Sequence, residues 1–225
     1  MEYQKYQILS GEFSRILQHA CKDIDEAYIC GGYLRNCVMG VEGCKDIDLF
    51  LKCTPNELKV VLDRMRQYGR IEYGQYKSPR LMLPQKGCYI DIVPFYNFVV
   101  ARKPIESIED LLTNFDITAN AIGINIHTKQ FFNPMNGLED IKKHILRAVR
   151  LDFPDLMVSK DIQLSTVSVF LFRLLHYQHK LGFSLDSRTR EWILQNKKRW
   201  GDIEMMKRYF FEPELSDDIK KQLMT

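Results

Sequence analysis

Ile29-Cys30-Gly31-Gly32-Tyr33-Leu34-Arg35-Asn36-Cys37-Val38-Met39-Gly40, with Lys45-Asp46-Ile47-Asp48-Leu49-Phe50 close behind, is the stretch on which the fold turns. Ala27 to Cys30 reads as a short strand that runs straight into Gly31-Gly32 and a helix, and Asp46 to Leu51 reads as a second strand. Alternate side chains of a strand share a face, so Asp46 and Asp48 project together, roughly 6.5–7 Å apart along the backbone. Two carboxylates so placed can converge on a hard cation, and Mg²⁺ favours one or two carboxylates completed by substrate phosphates. Glycines without Cβ atoms let the backbone approach a phosphate closely, and amides at a helix start favour anions. A Gly-Gly pair alone is an ordinary tight turn, and a lone Asp-x-Asp is an ordinary solvated strand edge. Strand, Gly-Gly, helix and strand, with the acids thirteen residues on, together point to phosphate and metal chemistry.

Working outward, Phe13, Ile16, Leu17 and Ala20 form one stripe of a helix that Ser10 would cap and that runs to about Lys22. Thr54-Pro55-Asn56-Glu57 places a cap, a first-turn proline and a capping-box glutamate in order, predicting a helix to about Tyr68. Arg70–Tyr73, Arg80–Leu83 and Cys88–Pro94 read as strands, and Asn97 to Ser107 as a loop. Ile108–Leu112 and Asp116–Ala121 read as helical, and Ile122–Ile126 with Gln130–Phe132 as a hairpin turning at His127–Lys129. Beyond about residue 150 the strand signals vanish; Asp161–Leu181, Ser187–Asn196 and Ile203–Phe211 read as helices. The expected architecture is α+β, a mixed sheet flanked by helices over residues 1–150, followed by a small all-helical annex over 151–225, the boundary lying near Arg150–Pro154.

Composition narrows the function classes. The 225 residues carry a net charge of +3, which excludes a protein that coats a polyanion by bulk charge. The N-terminus has no apolar stretch of a secretory leader, and Val167–Leu175, the longest apolar run, is too short to span a membrane and is broken by Arg173. The six cysteines all precede residue 90 without C-x2-C spacing, as expected of reduced thiols in a soluble cytoplasmic protein. None of the five histidines has metal-ligand spacing, His176 and His179 reading as helix or core residues.

The Gly-Gly and Asp-x-Asp segments resemble the nucleotidyltransferase superfamily, and within it the head domain of bacterial-type poly(A) polymerases and CCA-adding tRNA nucleotidyltransferases. That group carries G-G-x-V-R-D-x-L-L-G followed by K-D-I-D; Gly31, Gly32, Arg35, Gly40, Lys45, Asp46 and Asp48 match, and Asn36 stands where the family has Asp. Tyr89-Ile90-Asp91-Ile92-Val93-Pro94-Phe95 resembles the strand of the family's third carboxylate, Asp91 here, which otherwise reads as an exposed Asp on an edge strand. Asp116-Ile117-Thr118-Ala119-Asn120-Ala121 resembles R-R-D-F-T-I-N-A, with Asn114-Phe115 in place of the arginines. Asn133–Asp140 through Leu146–Val149 resembles D-P-x-G-G-L-E-D-L and I-R, with Asn133 replacing Asp, and Leu181–Asp186 resembles L-G-F-x-I-D. Counting back from the last motif, the E-D-x-x-R that reads the incoming base falls on Thr166-Val167-Ser168-Val169-Phe170. Its Asp and Arg are thus replaced by Val167 and Phe170, which have no groups to read a base edge.

The resemblance implies a polymerase-β-like nucleotidyltransferase fold and transfer of a nucleoside monophosphate from an NTP to an acceptor hydroxyl, with release of pyrophosphate. It implies two Mg²⁺, or Mn²⁺, on Asp46, Asp48 and Asp91, one activating the hydroxyl and the other binding the triphosphate. It implies triphosphate contacts at Gly31 and Gly32 and a sugar held by Asp116 and Asn120, one helical turn apart. Arg35 either braces the site or meets a phosphate. ATP or CTP is the expected substrate and an RNA 3′ end the expected acceptor. Lys142, Lys143, Arg147 and Arg150, then Lys197, Lys198 and Arg199 between Trp192 and Trp200, suit single-stranded RNA, although such runs also serve as solvated helix ends. With the base-reading residues replaced and an annex shorter than an RNA-gripping body, the expectation is an incomplete CCA-adding enzyme, with a partner chain supplying that body. The alternatives are transfer to a small molecule or a protein, and a non-catalytic nucleotide-binding regulator.

Overall fold

The computed structural model describes residues 11–41, 46–74, 78–83, 87–98, 103–160, 162–199 and 201–217. Ser10, Lys45, Asp161 and Trp200 lie outside the described residues. The chain divides into two compact units, Met1–Phe115 with Ala119–Leu138, and Asp116–Thr118 with Glu139–Thr225.

The first unit is built on a mixed sheet. Its strands are β1 (Ala27–Cys30), β2 (Asp46–Leu51), β3 (Arg70–Tyr73), β4 (Pro79–Leu83), β5 (Cys88–Pro94), β6 (Gly123–Asn125) and β7 (Phe131–Phe132). Among the described residues they pair in the order β3-β4-β5-β2-β1-β6-β7, with β2 and β5 parallel and the other pairings antiparallel. Helices α1 (Glu12–Ala20), α2 (Gly32–Val38), α3 (Pro55–Met65) and α4 (Ile108–Leu112) accompany the sheet. The capping box forms at α3: Thr54 accepts from the Glu57 amide, and Glu57 accepts from the Thr54 amide at 2.7 Å.

Register gives the two sheet faces different chemistry. One face carries Ala27, Ile29, Ile47, Leu49, Leu51, Leu81, Leu83, Ile90, Ile92 and Ile124, none more than 6% exposed. Burial of that face is the dominant stabilising contribution of the unit. The opposite face carries Asp46, Asp48, Asp91 and Arg80, with Tyr28 and Phe50 farther along their strands. Aromatic rings cover that farther end: Phe50 meets Phe98 and Phe115, and Tyr28 meets Phe95 and Phe132.

The second unit is helical with one small parallel pair. It contains α6 (Thr166–Leu181), α7 (Ser187–Asn196) and α8 (Ile203–Tyr209), preceded by α5 (Gly137–Lys142), which straddles the unit boundary. Ser165 caps α6 by accepting from the Ser168 amide, and Gly182 ends it in the left-handed conformation at φ 64°. Asp186 then caps α7 by accepting from the Thr189 amide. Contrary to the sequence expectation, a strand does occur after residue 150: β9 (Ser184–Leu185) pairs with β8 (Ile145–Leu146), because the link between the Gly182 stop and the Asp186 cap is extended. Leu164, Leu171, Phe172, Leu175, Met206 and Leu215 form this unit's core. No described helix is long and apolar enough to cross a membrane.

Candidate active site

The site grows from the turn at the end of β1. All four β1 residues are buried, and the chain leaves the strand through Gly31 at φ 83°, ψ −148°, a conformation essentially restricted to glycine. A Cβ there would stand 3.2 Å from Asp48 Oδ2 and 3.4 Å from the Phe115 ring, so a side chain would press on that carboxylate besides straining the backbone. Gly31 is the N-cap of α2, and Asp48 lies directly beside it.

Pairing then lines up a row of side chains across the sheet. Arg80 is registered with Asp91, Asp91 with Asp48, and Asp48 with Cys30. In the adjacent row Tyr89 is registered with Asp46. The Asp91 carboxylate is taken by Arg80 in a two-pronged pair, Nε to Oδ1 at 2.6 Å and Nη2 to Oδ2 at 2.9 Å. The Arg80 guanidinium lies 3.8 Å from the centre of the Tyr89 ring. Burial, and then the charge of Asp46 and a hydrogen bond to it, push the Tyr89 hydroxyl well above its ordinary pKa. Burial, reinforced by Asp48, likewise pushes the Cys30 thiol up, which keeps it protonated and unreactive. Asp46 and Asp48 are partly or fully exposed on this face, whereas Asp91 is committed to Arg80; among the described residues no three His, Cys, Asp or Glu side chains gather as a cation cluster.

Arg35, only 4% exposed, is a brace: its Nη1 donates to Asn120 Oδ1 at 2.5 Å, while Nε and Nη2 donate to Asn36 Oδ1. A Cβ at Gly32 would stand 3.4 Å from its guanidinium. Asp116 is bound within the second unit, where Arg173 donates to its Oδ2 through Nε (3.0 Å) and Nη2 (2.5 Å). The expected helix over Asp116–Ala121 does not form. The Ile117 amide turns back to Asp116 Oδ1, the Thr118 amide donates to the Arg147 carbonyl, and the Val149 amide donates to the Asp116 carbonyl. These exchanges replace the helical ladder, so Asp116 and Asn120 are not one helical turn apart.

Arg80, Tyr89 and Arg173 escaped the sequence reading. The first two carry no local signal, since only the β4–β5 and β2–β5 registers set Arg80 opposite Asp91 and Tyr89 opposite Asp46. Arg173 showed only as an interruption of an apolar run, and its partner is 57 residues away.

Val167 and Phe170, where the resemblance puts the base-reading residues, are buried; Phe170 packs on Phe153 at 4.2 Å and on Trp192 at 5.2 Å between ring centres. Trp192 therefore contributes to packing. Of the basic candidates, Lys142 pairs with Glu139, Arg199 with Asp155, and Arg147 with Asp140 and Asp186; Lys143, Lys197 and Lys198 are exposed. A cavity of about 570 Å³ lies beyond the C-terminal ends of β2 and β5, beside Lys52 and Phe95, away from the acids at the start of β2.

A family model for the poly(A) polymerase head domain matches residues 27–147, more than half of the chain. The chain belongs to this family. It is 26% identical over 181 residues to a CCA-adding enzyme of Lacticaseibacillus paracasei, covering 77% of this chain and 42% of that protein. The fold is shared with a CCA-adding enzyme solved with ATP (TM-score 0.61, 18% identity, 93% of this chain and 45% of that one). It is shared too with the Thermotoga maritima CCA-adding enzyme solved with tRNA (TM-score 0.60, 19% identity, 87% of this chain and 42% of that one). The chain thus spans about two fifths of the length of the curated relatives it matches. The matched stretch takes in the Gly31-Gly32 turn and the carboxylates of β2 and β5.

Proposed function

We propose that this head domain transfers a nucleoside monophosphate from an NTP, ATP or CTP, to the 3′ hydroxyl of an RNA, releasing pyrophosphate. The observation that carries the reading is Asp48 set against the Gly31 turn on the same sheet face as Asp46, in a member of the poly(A) polymerase head-domain family. Two carboxylates on one face beside a glycine turn suit a hard divalent cation, so Asp46 and Asp48 would hold Mg²⁺ or Mn²⁺, with Asp91 next to them as the third family carboxylate. Bound there, the metal would supply charge neutralisation for the triphosphate and a lowered pKa for the acceptor hydroxyl, as two-metal sites do.

The chain's own residues do the rest. The resemblance assigns the triphosphate to Gly31 and Gly32; the Gly31 amide donates to the Ile122 carbonyl at 3.3 Å, so the Gly32 amide would be the donor to the phosphates, with the Gly31 turn giving them room to approach. Arg35 holds α2 to Asn120, fixing the turn with respect to the segment that the family uses for the sugar. The sugar-facing role of Asp116 and Asn120 carries over from the resemblance; their side chains are engaged by Arg173 and Arg35 respectively. Exposed Lys143, Lys197 and Lys198, with Lys142, would meet RNA phosphates, while Arg147 and Arg199 serve ion pairs first. Base selection is loose, because buried Val167 and Phe170 offer nothing to a base edge. The free thiols Cys21, Cys30, Cys37, Cys53 and Cys88 fit the reducing cytoplasm.

One panel tests the reading: each labelled NTP with Mg²⁺ or Mn²⁺, offered tRNA, oligo(A), the protein itself and a small-metabolite extract. Label on RNA that disappears in Asp46→Ala/Asp48→Ala is the expected result. Label on protein or a metabolite overturns the RNA acceptor, and NTP binding with no label anywhere overturns catalysis.

A further inference from the structure

Asp91 stands in register with Asp48 on the neighbouring parallel strand, a strand spacing of about 4.8 Å away. Carboxylates that close repel one another unless a cation lies between them or one of them is neutralised. The sequence neutralises one. Arg80, in register on the other side of Asp91, donates to both of its oxygens at 2.6 and 2.9 Å, the fork geometry that makes arginine–carboxylate pairs strong. Arg80 is itself held from below, its guanidinium 3.8 Å from the Tyr89 ring centre, with the pair only 31% and 21% exposed. Tyr89 in turn interacts with Asp46, so the clamp is fastened to the acid strand at both rows.

We infer that Arg80 is a positioning residue that holds Asp91 out of the metal-ligand set, leaving a two-carboxylate cation site of Asp46 and Asp48 whose affinity Arg80 sets. The inference rests on the reading of Asp46 and Asp48 as a cation site and deepens it. With Arg80 in place, Asp91 contributes no net charge to an incoming cation and has both oxygens occupied. With Arg80 removed, a third carboxylate stands free beside Asp48 and the local charge becomes more negative by one unit. The built-in guanidinium thus weakens the resting grip on metal, leaving cation capture to be completed by substrate phosphates.

The test is Mn²⁺ titration of the full chain, read by the loss of the free-ion EPR signal, without any nucleotide or turnover. Arg80→Met keeps the aliphatic stem over Tyr89 and removes the charge. It should tighten Mn²⁺ binding roughly tenfold, the effect of one unit charge about 6 Å from a divalent ion at a water-like dielectric. Removing both partners in Arg80→Met/Asp91→Asn should return the affinity to within about twofold of wild type, since the pair is neutral and does not ligate. Binding in Arg80→Met no tighter than wild type overturns the inference, as does a double variant that loses as much affinity as Asp48→Asn. If Arg80→Met unfolds, as judged by circular dichroism, Arg80→Gln replaces it with the same expected direction. Undiminished Mn²⁺ binding in Asp46→Asn/Asp48→Asn would instead overturn the underlying cation site, so the two failures are distinguishable.

Discussion

Gly31 concentrates the site into one residue. Its φ of 83° with ψ of −148° is closed to L side chains, and a Cβ would press on Asp48 Oδ2 at 3.2 Å. Gly31→Ala should therefore lower stability by about 2 kcal/mol and displace the Asp48 carboxylate. Urea denaturation with Mn²⁺ titration checks both; unchanged midpoints and unchanged binding would show that the turn relaxes freely. This residue was legible in the sequence, because a Gly-Gly after a buried strand has few other uses. Arg35 was legible only as one of two alternatives, and its destination, Asn120, lies 85 residues on. Arg80 was not legible at all until β4 and β5 were paired in register, since nothing local to Arg80 distinguishes it from a solvated strand residue.

At the scale of elements, local signals worked where the element is specified locally. The Thr54-Pro55-Asn56-Glu57 capping box and the β1 and β2 strands formed where the sequence pattern placed them. The segment Asp116–Ala121 failed for the converse reason: its amides find partners at Arg147 and Asp116 rather than four residues back. Ile117, Thr118, Ala119, Asn120 and Ala121 are all buried, so no helical stripe separates an inside from an outside. Helix α6 carries the sharpest element-scale prediction. Val167→Asp/Phe170→Arg would restore the family's base-reading residue types, yet both positions are buried, Phe170 against Phe153 and Trp192. The expected outcome is a loss of about 4 kcal/mol with no gain in base preference, because two charges enter an aromatic core and a large ring leaves it. Chemical denaturation reads the first, and NTP competition the second; a stable variant that discriminates ATP from CTP would overturn the expectation.

For the whole molecule, His176 makes stability depend on pH. Burial, then Lys180, lowers its pKa to about 4, and its Nδ1 accepts from the Glu214 amide at 3.0 Å. The unfolded chain takes up this proton near pH 6.5 while the folded chain refuses it until about 4. The stability is complete above about pH 6.5 and is lost as pH falls toward 4, by about 3 kcal/mol. Urea midpoints at pH 7 and pH 4.5 should fall farther apart in wild type than in His176→Gln; equal losses would assign the acid sensitivity to other groups. The sequence by itself determined the α+β character, the strands of the sheet and the Gly31-Gly32 and Asp46-Ile47-Asp48 pair, because each follows from periodicity, caps or glycine conformation within a few residues. Tertiary structure alone decided that Asp91 is taken by Arg80, how Arg35 and Arg173 are spent, and that Val167 and Phe170 are core. Those outcomes depend on register and packing between segments tens of residues apart, and a local pattern carries no record of which strand will lie alongside.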